Sequence, residues 1–345
     1  MKKILQIADP EIRCYANYAH IFSILGANSN DYCAWIYNHY VQLHVPDTYE
    51  TFAVDYMVGG MYNNTPNLLT SRVEREIAVN CGGGVIEFIK FVINKGYYVY
   101  MELDVGKIRA YNGTGMRFHD PLLFGYDDEK EEVYFADTYV EGKYSKGTAS
   151  YKEIINAVGN SGNWSEFQVT TLGLDILCMR YRALDECFPF NKNTFIKLLN
   201  YYINEVDAHE FFGGIHGEAS WKRKVNICGI GIYNILKKHL QHVKGCANTF
   251  VDKRGFYVIL EHKKILEKSF VYLLGEEWNE RYPFEAELMQ SVIKNAAICL
   301  RLCLKYNITK DERILDKISE HAIMLEDTER VLIPNMIRII ESFNR

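Results

Sequence analysis

The stretch "PLLFGYDDEKEEVYFADTY", Pro121 to Tyr139, constrains this chain more than any other. Two runs rich in aromatic and β-branched residues flank the acidic turn "DDEKE", which is the pattern of two antiparallel strands joined by a short loop. Pairing through that turn brings the outer ends of the strands together. His119 precedes the first strand and Asp137 ends the second, 18 residues later, so an imidazole and a carboxylate are expected at the same end of a sheet. A carboxylate so placed can orient the ring through one nitrogen and leave the other for proton transfer.

The neighbouring segments extend this picture. "RCYANYAHIFSIL", Arg13 to Leu25, has the content of a buried helix closed by Gly26. "SRVEREIAVNCGGGVIEFIKFVINKG" predicts a polar turn, a glycine break at Gly82 to Gly84 and an apolar helix ending at Lys95-Gly96. "YYVYMELD" reads as a strand, as does the region from Val169 to Leu177. Past Phe188-Pro189 apolar residues recur at helical spacing, in "TFIKLLNYYINEV", "KVNICGIGIYNILKKHLQHV", "ILEKSFVYLLGEEW", "LMQSVIKNAAICLRLCLKY" and "RVLIPNMIRIIESF". An α+β chain is expected, with a helix and antiparallel sheet over 1–185 and a mostly helical domain over 186–345.

A length of 345 residues suits two domains, and 48% hydrophobic residues suffice for a large core. The 39 basic and 44 acidic residues give a net charge of −5 with no long run of either sign. That balance argues against a dedicated nucleic-acid surface, and the short "WKRK" at Trp221 to Lys224 reads as a solvated helix face. No stretch approaches the roughly 18 apolar residues that span a bilayer. Asp9-Pro10 interrupts the opening "MKKILQIADP" too early for a secretory segment, so a cytoplasmic protein without a membrane partner is expected.

Nine cysteines are scattered with no Cys-x-x-Cys, which favours neither a disulfide framework nor a structural zinc site. Cys299 and Cys303 lie one helical turn apart on an apolar face and read as core. "DAHEFFGGIHGE" sets His209 and His216 near Glu210 and Glu218 without His-Glu-x-x-His spacing, and reads as a glycine-rich loop lining a pocket. "CGGGVIEF" lacks the Gly-Lys-Ser/Thr ending of a phosphate loop. No metal is expected. Cys14 differs from the other thiols because it opens a predicted helix, where free backbone N–H groups and the helix dipole favour a thiolate. With His119 as base and Asp137 as its orienter it makes a candidate nucleophile, although nothing local brings Cys14 to the hairpin.

The order "CYANYAHIFSILG", "FVINKGYYVYMELD" and "FHDPLLFGYDDEKEEVYFAD" resembles the papain-like fold, and more narrowly the amino-terminal domain of the butirosin-biosynthesis acyltransferase family, over roughly residues 10 to 180. The resemblance implies a papain-like first half and a cysteine enzyme that takes an acyl group from a carrier-protein thioester and delivers it to an amine. Carried over to this chain, it implies Cys14 as nucleophile, His119 as base, Asp137 as orienter and the Cys14 N–H as a donor to the oxyanion; Gln6 stands eight residues upstream where the family sets its glutamine a few residues before the cysteine, so the second donor is Gln6 or another group. It also implies an acyl or peptidyl carrier protein and a small amine, diamines included, as partners. Phosphopantetheine would arrive on the carrier, so no cofactor of the enzyme's own is implied. A peptidase or amidase using the same three residues, with water replacing the amine, is the alternative, because both pass through one acyl-enzyme. A catalytically inactive binding domain is a third reading.

Overall fold

The computed structural model describes residues 1–29, 32–58, 65–80, 82–115, 117–140, 142–159, 175–183, 189–208, 211, 226–246 and 249–343. In chain order these residues form β1 (Lys2–Ile4), α1 (Ala16–Gly26), α2 (Cys33–His39), β2 (Leu43–Pro46), β3 (Asp55–Tyr56) and β4 (Leu68–Glu74). Next come α3 (Arg75–Asn80), α4 (Gly84–Asn94), β5 (Tyr98–Met101), β6 (Leu103–Asp104), β7 (Phe118–His119) and β8 (Leu122–Asp127). β9 (Glu132–Val140), β10 (Lys143–Ser150), α5 (Tyr151–Val158) and β11 (Asp175–Tyr181) follow. The rest is α6 (Lys192–Ile203), β12 (Asn226–Cys228), α7 (Ile232–Lys244), α8 (Arg254–Leu274), α9 (Trp278–Arg281), α10 (Pro283–Thr309) and α11 (Arg313–Ser342). The class is α+β, with the larger sheet in the first half and helices concentrated in the second.

These elements sort into two compact units, Met1–Tyr32 with Thr65–Cys187, and Cys33–Asn64 with Phe188–Arg345. The break after Cys187 lies close to the expected 185. The difference is residues 33–64, which leave the sheet-bearing half and join the helical one. Strand pairing explains this: β2 hydrogen-bonds to β12 on one side and to β3 on the other. "NIC", Asn226 to Cys228, is thus a strand where helical spacing was expected, because its backbone groups find partners far back in the chain.

The first unit is built on a sheet of order β10-β9-β8-β5-β11-β4, with β1 also on β8, and every pairing is antiparallel. β5 and β8 occupy the middle, and all their residues are buried, as near-continuous apolar strands should be. β9 alternates instead, and its Val133 and Phe135 join α4 residues such as Ile89 and Ile93 in one core. Gly83 opens α4 at a φ of 99°, and Gly96 turns the chain out at 81°. α4 buries Val85, Ile86, Phe88, Ile89, Val92 and Ile93. At about 1.5–3 kcal/mol per fully buried large apolar side chain, that face rather than helix propensity holds α4 in place.

"SRVEREIAV", expected as a polar turn, forms the end of β4 and then α3. An edge strand tolerates such polarity because one side faces water; Arg72 answers Asp175 of β11 across the ladder at 2.9 Å. At the other end of the sheet Ser150 and Glu153 form a reciprocal capping box on α5. The same Glu153 carboxylate accepts the Arg109 backbone N–H at 2.9 Å. This cap fixes the 3-10 turn Arg109–Tyr111, and with it Tyr111.

In the second unit α10 packs along α11 and α8, and α11 packs on α6 and α7. Cys299 and Cys303 are core residues, as their spacing suggested. The expected glycine-rich loop with His209, Glu210, His216 and Glu218, the "WKRK" cluster, Cys81 and the first part of the strand at Val169 to Leu177 lie outside the described residues. Among the described residues no helix is long and apolar enough to cross a membrane.

Candidate active site

The hairpin's register decides where its two ionisable ends fall. Leu122 pairs with Ala136 and Asp127 with Glu132, so Asp137 lies one residue beyond the last paired position, at the start of β8. His119 is three residues before Leu122, and its own short strand β7 pairs with β6, Leu103 opposite His119. β6 and β9 thus hold the imidazole and the carboxylate at one end of the sheet. His119 Nδ1 is 2.7 Å from Asp137 Oδ2.

Asp137 shares the strand face of Val133 and Phe135 and is fully buried. Its charge is answered completely: Oδ2 accepts from His119 and from the Tyr111 hydroxyl at 2.5 Å, and Oδ1 accepts the Thr138 N–H at 2.6 Å. Burial pushes its carboxyl up, but the charge and hydrogen bond of His119, with His20 and Tyr111, outweigh burial and hold it below the usual range. Burial likewise pulls His119 down, yet Asp137, Asp120 and Glu102 raise it to about 9. The ring is therefore an imidazolium at neutral pH. Nδ1 is taken by Asp137, so Nε2 is the atom that can exchange a proton with a reactant.

Asp120, beside His119, is a second carboxylate of different character. Its side chain accepts a hydrogen bond from the Tyr100 hydroxyl, and burial raises it to about 6 against the opposing pull of His119 and Tyr100. Two acids on one cation have been pushed apart, Asp137 held below the usual carboxylate range and Asp120 raised to about 6, an asymmetry common where protons are moved.

Cys14 lies on the approach to α1. Pro10, Ile12 and Cys14 are buried while Asp9 and Arg13 face out and pair at 3.0 Å, so the segment turns the thiol inward. α1 starts at Ala16 rather than at the expected Arg13, with Tyr15 as N-cap. Tyr15 supplies no side-chain cap and the first turn carries no acid, while Asn17 Oδ1 accepts the Tyr18 N–H at 3.0 Å. α1 packs on β9 and β11 and buries every residue from Tyr18 to Leu25.

One buried polar residue on this helix ties it to the dyad's strand. His20 Nε2 is 2.9 Å from the backbone carbonyl of Asp120, the residue after His119, and His20 Nδ1 is 3.0 Å from the Tyr144 hydroxyl of β10. Since Ala16 to His20 spans only about 6 Å of helix axis, the anchored helix carries the Cys14 segment with it at short range. Gln6 sits elsewhere in character: its side chain is exposed, and its backbone carbonyl accepts from the Tyr98 hydroxyl.

Of the residues the sequence pointed to, the structure brings His119 and Asp137 together; Tyr111, Asp120 and His20, which the sequence did not single out, hydrogen-bond to Asp137, stand next to His119 and reach the Asp120 carbonyl respectively. A histidine in a largely apolar run was the available signal for His20, and adjacency to His119 the signal for Asp120. Tyr111 left none, because its approach to Asp137 depends on the turn that Glu153 fixes. Among the described residues no group of three or more His, Cys, Asp or Glu side chains could hold a metal ion.

No known protein family matches the chain. A search of curated proteins finds no relative either.

Proposed function

We propose that this chain is a thiol-dependent acyltransferase with a papain-like catalytic unit, in which Cys14 attacks a carrier-protein thioester and passes the acyl group to an amine. The single observation that carries the reading is the His119–Asp137 pair, a cationic imidazole held through Nδ1 by a buried carboxylate with Nε2 left for chemistry. An imidazolium beside a thiol favours the thiolate, which is the nucleophilic form. In the first step the Cys14 sulfur adds to the thioester carbonyl and the carrier's phosphopantetheine thiolate leaves, taking its proton from His119 Nε2. In the second step the amine attacks the Cys14 thioester, His119 Nε2 accepts the amine proton, and the thiolate is released as the amide forms. Asp137 stays ionised throughout and fixes the ring. The Cys14 N–H is the first oxyanion donor in this scheme, with Gln6 as the proposed second. Gln6 has to turn inward from its exposed position to serve.

The test is product partition. With an acyl-loaded carrier protein and a series of small amines, diamines first, the chief product should be amide. Free acid dominating at saturating amine, with a simple amide cleaved at a comparable rate, would replace this reading by the hydrolase.

A further inference from the structure

We propose that His20 is a positioning residue, a neutral strut that sets α1, and with it the Cys14 segment that leads into α1, against the residue that follows His119; this rests on the reading of Cys14 as nucleophile. The strut has two ends on different elements. At one end a backbone carbonyl, that of Asp120, can only accept, so Nε2 must carry the proton. At the other end Nδ1 is then the acceptor, and the Tyr144 hydroxyl donates to it. A neutral imidazole has this one donor and this one acceptor, on rigidly opposed sides of a ring.

The surroundings hold that state. His20 is fully buried, its ring meets Tyr100 edge-on at 4.9 Å between centroids, and Ser23 Oγ lies 3.2 Å from the Tyr144 hydroxyl. Burial pulls the ring down to about 4, so it is uncharged wherever the protein is folded near neutrality. Tyr100, which packs on the strut, also donates to the Asp120 carboxylate, so the same residue touches both the strut and the neighbour of His119. The consequence is geometric. α1 cannot slide or rotate against the hairpin without breaking a buried hydrogen bond, and small displacements of a nucleophile from its base cost reactivity steeply.

The experiment reads Cys14 alkylation by iodoacetamide on its own peptide, by mass spectrometry, from pH 5 to 9. Wild type should alkylate well below the pH of an ordinary thiol, and His119→Ala should lose that low-pH reactivity. His20→Leu should lose it as well, by about tenfold at pH 6, and lower kcat with little change in KM. His20→Gln, which restores one donor and one acceptor, should recover most of both. Should His20→Leu fold poorly by circular dichroism, Tyr144→Phe removes one end of the strut alone and should give a smaller loss in the same direction. A wild-type profile in both His20→Leu and Tyr144→Phe, with His119→Ala still impaired, overturns the strut and leaves the nucleophile reading intact. A wild type that His119→Ala does not change overturns both.

Discussion

His119 keeps a quarter of its side chain open to solvent, while Asp137, 2.7 Å away through Nδ1, is wholly buried. The pair is thus one-sided: the carboxylate is sealed behind the ring, and only the ring can meet a reactant. Replacing the ring should therefore cost more than replacing the acid that steers it. His119→Ala should lower kcat by about 10²–10⁴-fold, the range for general acid–base transfer, and Asp137→Asn by less, in steady-state turnover of an acyl-carrier thioester. A larger loss in Asp137→Asn would assign the acid more than an orienting role.

The raised His119 also links stability to pH. Its folded value, about 9, lies above the unfolded 6.5, so the folded chain binds the extra proton between them. The stabilisation is full below about 6.5 and is lost as pH rises through about 9, at up to about 1.4 kcal/mol per pH unit. In urea titrations at pH 6.5, 8 and 9.5 the wild type should weaken relative to His119→Gln. A constant difference across the three would show that Asp137, Asp120 and Glu102 do not hold the proton on the ring.

Tyr111 contributes through its hydroxyl alone, since its ring is fixed by Phe135 and Tyr139 at 5.4 and 4.7 Å between centroids. Tyr111→Phe keeps that packing and removes one donor from a buried carboxylate. The expected cost is about 1.5–3 kcal/mol of stability, as for hydrogen bonds to charged groups, with a modest fall in kcat. An unchanged denaturation midpoint would mean that the hydroxyl is not needed to hold Asp137.

What could be read from the sequence follows from how local each signal is. The hairpin from Leu122 to Val140 was legible because its strands pair through their own turn, which brings the residues before β8 to the end of the sheet where Asp137 lies; the β6–β7 pairing that holds His119 itself left no such local signal. The helices from Lys192 onward were legible from their spacing. β4 was hidden because an edge strand with Arg72 and Glu74 carries little apolar pattern, and β12 because its partner β2 lies some 180 residues earlier. The start of α1 falls three residues after the expected one, since its N-cap, Tyr15, makes no side-chain cap that would mark it in the sequence. His20 could not be assigned because a buried histidine looks the same in sequence whether it fills a core or bridges two elements.

The helical unit contains a buried charged cluster. Lys263 and Glu329 are buried and 2.9 Å apart; the ammonium also donates to Tyr202 and His262, while Tyr202 and Tyr233 each donate to Glu329 at 2.6 Å. Removing one partner strands the other, so Lys263→Met should destabilise by about 3–5 kcal/mol. The double variant Lys263→Met with Glu329→Leu should be less damaging than the sum of its parts. Additive losses in the double-mutant cycle would show that the two charges do not depend on each other.

The central claim is that Cys14 carries the acyl group, and intact-mass analysis after incubation with an acyl-loaded carrier protein tests it most directly. One acyl mass should be added to the wild type, map to the Cys14 peptide, and vanish in Cys14→Ala while Cys33→Ala retains it and the Cys14→Ala fold is unchanged by circular dichroism. An adduct that persists in Cys14→Ala, or that maps to another cysteine, would contradict the account.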